Sequence, residues 1–102
     1  MAGEVLYVDR ADVPAGGAHV VEVNPGLRIA IFHTESGFYA INDRCPHAGG
    51  PLAEGPFDGR VVTCPLHRFK VDVTTGMCPT NPIIRVRTFA VEPEGARLKI
   101  SV

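Results

Sequence analysis

Cys45-Pro46-His47 and Cys64-Pro65-Leu66-His67, with sixteen residues between them, are the stretches on which the reading of this 102-residue chain turns. Each offers one thiolate and one imidazole, so two short loops supply four soft or borderline metal ligands. A lone Cys or His is usually structural, but two Cys/His pairs followed by loop-forming residues seldom arise by chance. A structural zinc site commonly takes Cys pairs two to four residues apart around one tetrahedral ion. Here each loop carries one Cys and one His, as if two metals each took a matching pair. A [2Fe-2S] cluster with two Cys on one iron and two His on the other has this need.

The pattern C-x-H, sixteen residues, C-x-x-H resembles the Rieske family. The likeness continues through Gly49-Gly50-Pro51-Leu52 after the first pair and Asp72, Thr75 and Gly76 after the second. It is close from about Asn42 to Pro82, and the flanks match only in pattern. The resemblance implies an all-β, Rieske-like fold of three antiparallel sheets, with a cluster-binding lobe inserted between strands of a base domain. It implies one [2Fe-2S] cluster per chain, with Cys45 and Cys64 on one iron and His47 and His67 on the other, the imidazoles nearest the surface as the exit for the electron. Gly49, Gly50, Pro51 and Leu52 would shape the first loop, where backbone N–H groups can approach the sulfides. Leu52 and Leu66 would keep water away, and Cys78-Pro79-Thr80-Asn81-Pro82 would be the proline-rich third loop over the remaining side. The simpler readings are two small buried thiols, a plain Gly-rich turn and a plain connector.

Length and composition fit one domain, residues 1–102, with the lobe at about 42–82. Eleven Gly and nine Pro, spread singly, punctuate many short strands. A net charge of −1 gives no nucleic-acid footprint. There is no polybasic run, signal-peptide pattern or membrane-length apolar stretch. Three cysteines, two of them claimed as ligands, leave no pair for a disulfide, which fits a reducing cytoplasm.

Taken in order, Val5–Val8 and His19–Val23 read as strands, and Asn24-Pro25-Gly26 as a turn with Gly26 at positive φ. Leu27–Thr34 alternates, with Leu27, Ile29, Ile31 and His33 on one face and Arg28, Ala30, Phe32 and Thr34 on the other. Glu35-Ser36-Gly37 turns into Phe38–Ile41. Asp58-Gly59 leads into Val61–Thr63, which delivers Cys64, and Phe69–Val73 returns, closed by Thr74-Thr75-Gly76. Arg85–Val91 and Arg97–Val102 read as the last strands, turned at Pro93-Glu94-Gly95. Cys78 is taken as a partly buried non-ligand, and His19 and His33 as structural. Asp43, Arg44, Arg68 and Lys70 flank the ligand loops as candidates for a docking rim or a solvated face.

The sequence departs from the family pattern in three places. Arg68 follows the second His, where many relatives have Gly. The extra loop cysteines of quinol-oxidising relatives are Gly50 and Leu66 here. The Ser and Tyr hydroxyls of high-potential relatives correspond to Phe69 and Val71. The expected role is therefore a soluble ferredoxin and not a catalyst. It would accept one electron from a flavin-dependent reductase and pass it to a terminal oxygenase of the aromatic-ring-hydroxylating type, with no nucleic-acid or membrane partner. The rivals are a small Rieske subunit of a nitrite-reductase-like enzyme and a structural zinc-binding interaction module.

Overall fold

The computed structural model describes residues 4–44, 51–65 and 68–102. Ten strands follow in chain order: β1 (Val5–Asp9), β2 (Ala18–Asn24), β3 (Leu27–Thr34), β4 (Gly37–Asn42), β5 (Val61–Thr63), β6 (Lys70–Asp72), β7 (Met77–Cys78), β8 (Asn81–Arg85), β9 (Thr88–Glu94) and β10 (Arg97–Ser101). The only helical pieces among the described residues are two short 3-10 turns, Arg10–Asp12 and Leu52–Glu54.

The strands form three antiparallel groups, β1-β10-β9, β2-β3-β4 and β5-β6-β7-β8. The first two join edge to edge through a short β4–β9 ladder, Ala40↔Phe89 and Ile41↔Thr88, which makes one six-stranded sheet. The four-stranded sheet is inserted between β4 and β9. The chain leaves and re-enters at one point, where the Asn42 N–H donates to the Arg87 carbonyl at 2.9 Å.

β3 explains why the layers hold together. Its side chains alternate in direction, and Ile29, Ala30, Ile31 and Phe32 are all completely buried. Ile29 and Ile31 join Val8, Val13, Ala40, Phe89, Leu98 and Ile100 in one core. Ala30 and Phe32 face the other way, into a second core with Ile41, Leu52, Val62, Cys64, Val71 and Val73. Phe32 also meets the Phe57 ring at 4.8 Å, tilted by 52°. A strand apolar on both faces must be covered on both, so the base packs on one side of it and the inserted sheet on the other.

The strand expectations hold closely for the first half. β3 has the expected limits and Gly26 takes φ +99°. Later segments differ. The alternation over Arg85–Val91 is two strands, because the chain crosses at Val86-Arg87 from the inserted sheet to the base. The expected third loop over 78–82 is a tight hairpin, with Cys78 paired to Asn81 around Pro79-Thr80. The last turn falls at Gly95-Ala96, and Pro93 lies within β9 opposite Leu98.

Asp72 ties the inserted sheet together. Its carboxylate accepts from the Thr74 hydroxyl and N–H, at 2.6 and 2.9 Å, and from Arg60 Nε at 2.8 Å. Burial opposes its ionisation, but these donors outweigh it, and the pKa lies below the ordinary carboxylate value. Because the folded pKa is depressed, the contribution is complete above about pH 4 and is lost as pH falls through the folded value.

Two predictions follow from this packing. Phe32→Ala should cost about 3–5 kcal/mol in urea unfolding, the range for deleting a buried aromatic. Asp72→Asn should cost about 1 kcal/mol at pH 7, since the Arg60 arm is exposed and screened. That difference should shrink as the pH is lowered below about 4.

Candidate metal centre

The two ligand loops spring from adjoining supports. Before the first loop, Asp43 and Arg44 form a neck with Pro51 and Leu52: Arg44 bridges Pro51, and the Leu52 N–H donates to the Asp43 carbonyl at 2.8 Å. The second loop rises from the β5–β6 hairpin. There the Cys64 N–H donates to the Phe69 carbonyl at 2.7 Å and the Arg68 N–H to the Cys64 carbonyl at 2.9 Å. The Leu52–Glu54 turn packs on β5, and Leu52 shares the apolar floor of Cys64, Val62 and Val71.

Of the four expected ligands, Cys64 is described. It lies just beyond the end of β5, where the strand was expected to deliver it, and it is completely buried. Cys45, His47 and His67 lie outside the described residues, as do Gly49, Gly50 and Leu66. Leu52 is fully buried where a water-excluding residue was expected. Cys78 is 5% exposed on β7. Burial raises the pKa of its thiol, but hydrogen bonds from Thr80 and from the Asn81 backbone outweigh this and lower it overall. His33 stacks on Phe38 at 4.1 Å, and His19 is half-buried on β2.

The rim expectation needs one correction. Asp43 is 2% exposed and belongs to the neck. Its Oδ1 accepts from the Ala53 N–H at 2.8 Å, and its Oδ2 lies 3.8 Å from Arg28 Nε. Burial pushes its pKa up; the Ala53 N–H and Arg28 pull it down, and Glu54 pushes it up again. A buried acid is kept by such partners. Arg44, Arg68 and Lys70 remain exposed.

Two further features had little local signal. Gly55 leaves no space for a side chain: a Cβ there would collide with the Thr63 carbonyl and come within 3.2 Å of Pro65 Cδ. This close approach holds the Leu52–Glu54 turn against the strand that carries Cys64. Arg68 has φ +58° and is the only described residue other than Gly at positive φ. Position 68 therefore takes a left-handed backbone, which Gly adopts at least cost.

The donor set suits an iron–sulfur group. A buried thiol on an apolar floor is positioned to act as a thiolate ligand away from water, and the two loop bases are held by backbone hydrogen bonds and not by long side chains. Such preorganisation favours a fixed coordination geometry. Gly55→Ala should separate the two supports. We expect a loss of more than about 3 kcal/mol in unfolding free energy, read by denaturant titration, with a parallel loss of metal retention.

The chain is 33% identical over 100 residues to the ferredoxin component of the naphthalene 1,2-dioxygenase/salicylate 5-hydroxylase systems of Ralstonia sp., covering 94% of this chain and 95% of that protein. It is 38% identical over 97 residues to the 3-phenylpropionate/cinnamic acid dioxygenase ferredoxin subunit of Shigella boydii, covering 90% and 87%. Its fold superposes with a TM-score of 0.85, at 29% identity and with 95% and 92% of the two chains covered, on a chain in the complex of reduced oxygenase and oxidized ferredoxin in carbazole 1,9a-dioxygenase. Residues 4–90 match the Rieske [2Fe-2S] domain, and the chain belongs to that family.

Proposed function

We propose that this chain is a cytoplasmic ferredoxin of an aromatic-ring-hydroxylating oxygenase system, a single Rieske domain that takes one electron from a flavin-dependent reductase and delivers it to the terminal oxygenase. The observation that carries this reading is the end-to-end match to ferredoxin components, with 95% of the Ralstonia protein covered. A terminal oxygenase needs a further iron site of two His and one carboxylate, and the matched relatives are named as the ferredoxin parts of their systems. Among the described residues no helix is long and apolar enough to cross a membrane.

In this reading Cys45 and Cys64 hold one iron and His47 and His67 the other, within a cluster-binding lobe at about 42–82. The bound cluster supplies reversible one-electron transfer. The protein's own part is to hold the loops and exclude water. Leu52, Val62 and Val71 form a dry floor beneath Cys64, and the Asp43 and Gly55 contacts fix the neck of one loop against the strand that leads into the other.

Purified protein should be red-brown, with two irons and two acid-labile sulfides per chain. A colourless protein holding one zinc would point to the interaction module, and copurification with a large reductase subunit to the nitrite-reductase-like assembly. Replacing Cys45, His47, Cys64 or His67 by Ala should abolish the visible spectrum, and Cys78→Ala should keep it. An intact spectrum in Cys64→Ala would overturn the ligand assignment.

The potential should lie in the lower part of the family range of about −150 to +300 mV. At Phe69 and Val71 the side chains carry no hydroxyl, and Val71 is fully buried in the floor. A hydrogen bond to a charged group is worth roughly 1.5–3 kcal/mol, so two absent donors lower the potential by on the order of 100 mV or more. Voltammetry measures it directly, and a value near the top of the range would refute the argument.

A further inference from the structure

A cleft of about 530 Å³ opens between the β3–β4 turn of the base and the turns of the insert at Asp58-Gly59-Arg60 and Thr74. That size suits a small organic ligand, for which cavities of about 300–1,000 Å³ are usual. Four hydroxyls line it, and the hydrogen bonds fix where each proton goes. Thr34, 8% exposed, donates to the Gly37 carbonyl at 3.0 Å. A hydroxyl has one proton to give. The Thr34–Ser36 bond at 3.1 Å is therefore donated by Ser36, and the Ser36–Tyr39 bond, also 3.1 Å, by Tyr39. Thr74 gives its proton to Asp72 at 2.6 Å. Thr34 is saturated, since it also accepts the Ser36 N–H at 3.2 Å. Ser36, Tyr39 and Thr74 can offer a ligand only lone pairs.

The charges of the cleft have the same bias. The ion pairs among the described residues are Arg28–Asp43 and Arg60–Asp72, so the exposed Glu35 carboxylate is in neither. Asp58 accepts the Val61 and Arg60 N–H groups on Oδ1, at 2.7 and 2.9 Å, which leaves Oδ2 open. Those donors, with a smaller pull from Lys70, hold its carboxyl below the ordinary pKa, so it is ionised at neutral pH. Arg60 is the one base in the lining, and its Nε is taken by Asp72 at 2.8 Å. An occupant must bring donors and positive charge. An adjoining groove of about 390 Å³ shares Tyr39 and Thr74 with the cleft. It lies at the fork where β4 and β9 part beyond the Ala40–Phe89 pair, and Phe38, Phe89, Ala90 and Val91 give it an apolar wall.

We infer that cleft and groove together bind a small primary alkylamine, with its ammonium among the acceptors of the cleft and its hydrocarbon chain along the groove. An ammonium carries three donors and no acceptor, which matches a lining whose hydroxyl protons are all spent. An anion would meet lone pairs and two carboxylates, and a bare metal ion would draw nothing from the apolar wall. The site uses none of the cluster ligands, so it goes beyond the electron-carrier reading and does not depend on it. Its walls come from both parts of the fold, Thr34 to Tyr39 from the base and Asp58 to Arg60 with Thr74 from the insert. A bound amine would therefore tie the two together and stabilise the folded chain by mass action.

The test titrates the oxidised holoprotein at neutral pH with hexylamine, which is protonated there as a lysine amine is. Amide resonances of Ser36, Tyr39, Gly59 and Thr74 should shift together and saturate below about 10 mM. Hexyltrimethylammonium keeps the charge and the chain but has no N–H, and should bind about tenfold more weakly or worse. Methylammonium keeps the head without the chain, and should also fall by about tenfold or more. Glu35→Gln should weaken hexylamine binding by about threefold or more. Glu35→Lys, which brings its own ammonium to the cleft, should abolish it. Glu22→Gln on β2 should leave it unchanged. No saturable shift with hexylamine, or equal affinity for hexyltrimethylammonium, overturns the site. Shifts with a lysine-rich peptide but none with hexylamine overturn it as well, and assign the cleft to a lysine of a protein partner.

Discussion

The two-sided burial of β3 is the constraint on which the rest of the structure depends. Ile29 and Ile31 close the base, and Ala30 and Phe32 roof the inserted sheet. A one-residue slip in register would exchange the two sets. It would drive Phe32 into a core fitted to Ile31 and leave Leu52 and Val62 without their aromatic cover. The support of the metal centre is thus set by the same side-chain alternation that stabilises the base, and neither can shift alone.

The site shows the same economy. Its rigidity comes from main-chain groups: Leu52 and Ala53 N–H on Asp43, Phe69 carbonyl on Cys64, and Gly55 pressed against Thr63. Main-chain hydrogen bonds lose little side-chain entropy on forming. A cluster that changes charge with each turnover benefits from surroundings that do not have to reorganise.

Much of this was legible in the sequence, and the exceptions share a cause. The limits of β3, the turn at Gly26 and the strand ending at Cys64 follow from periodicity and turn chemistry, which act over a few residues. Asp43 was misread as a rim charge because its partners come from elsewhere. Arg28 lies on β3 and Ala53 beyond the loop, and nothing adjacent to Asp43 announces either. The break at Val86-Arg87 was invisible because alternation continues unchanged when a chain moves from one sheet to another. Gly55 reads as an ordinary turn residue until the carbonyl it faces is known. The left-handed turn at Arg68 had a signal, the departure from Gly, but its meaning depended on the backbone angle.

The joint between base and insert carries one more implication. The segment that holds the metal centre leaves from Asn42 and returns at Arg87, hydrogen-bonded neighbours at 2.9 Å. To the base it is a closed loop with one fixed requirement, an apolar floor that covers Ala30 and Phe32. The entropy of closing a loop rises only with the logarithm of its length, so a doubling costs about 0.6 kcal/mol. Residues could be added to or removed from the loops of the insert at little expense to the framework beneath it. Partner choice and redox tuning could then drift in the loops of a segment whose apolar floor under Ala30 and Phe32 stays fixed, so a base of this kind could carry inserts with different loops.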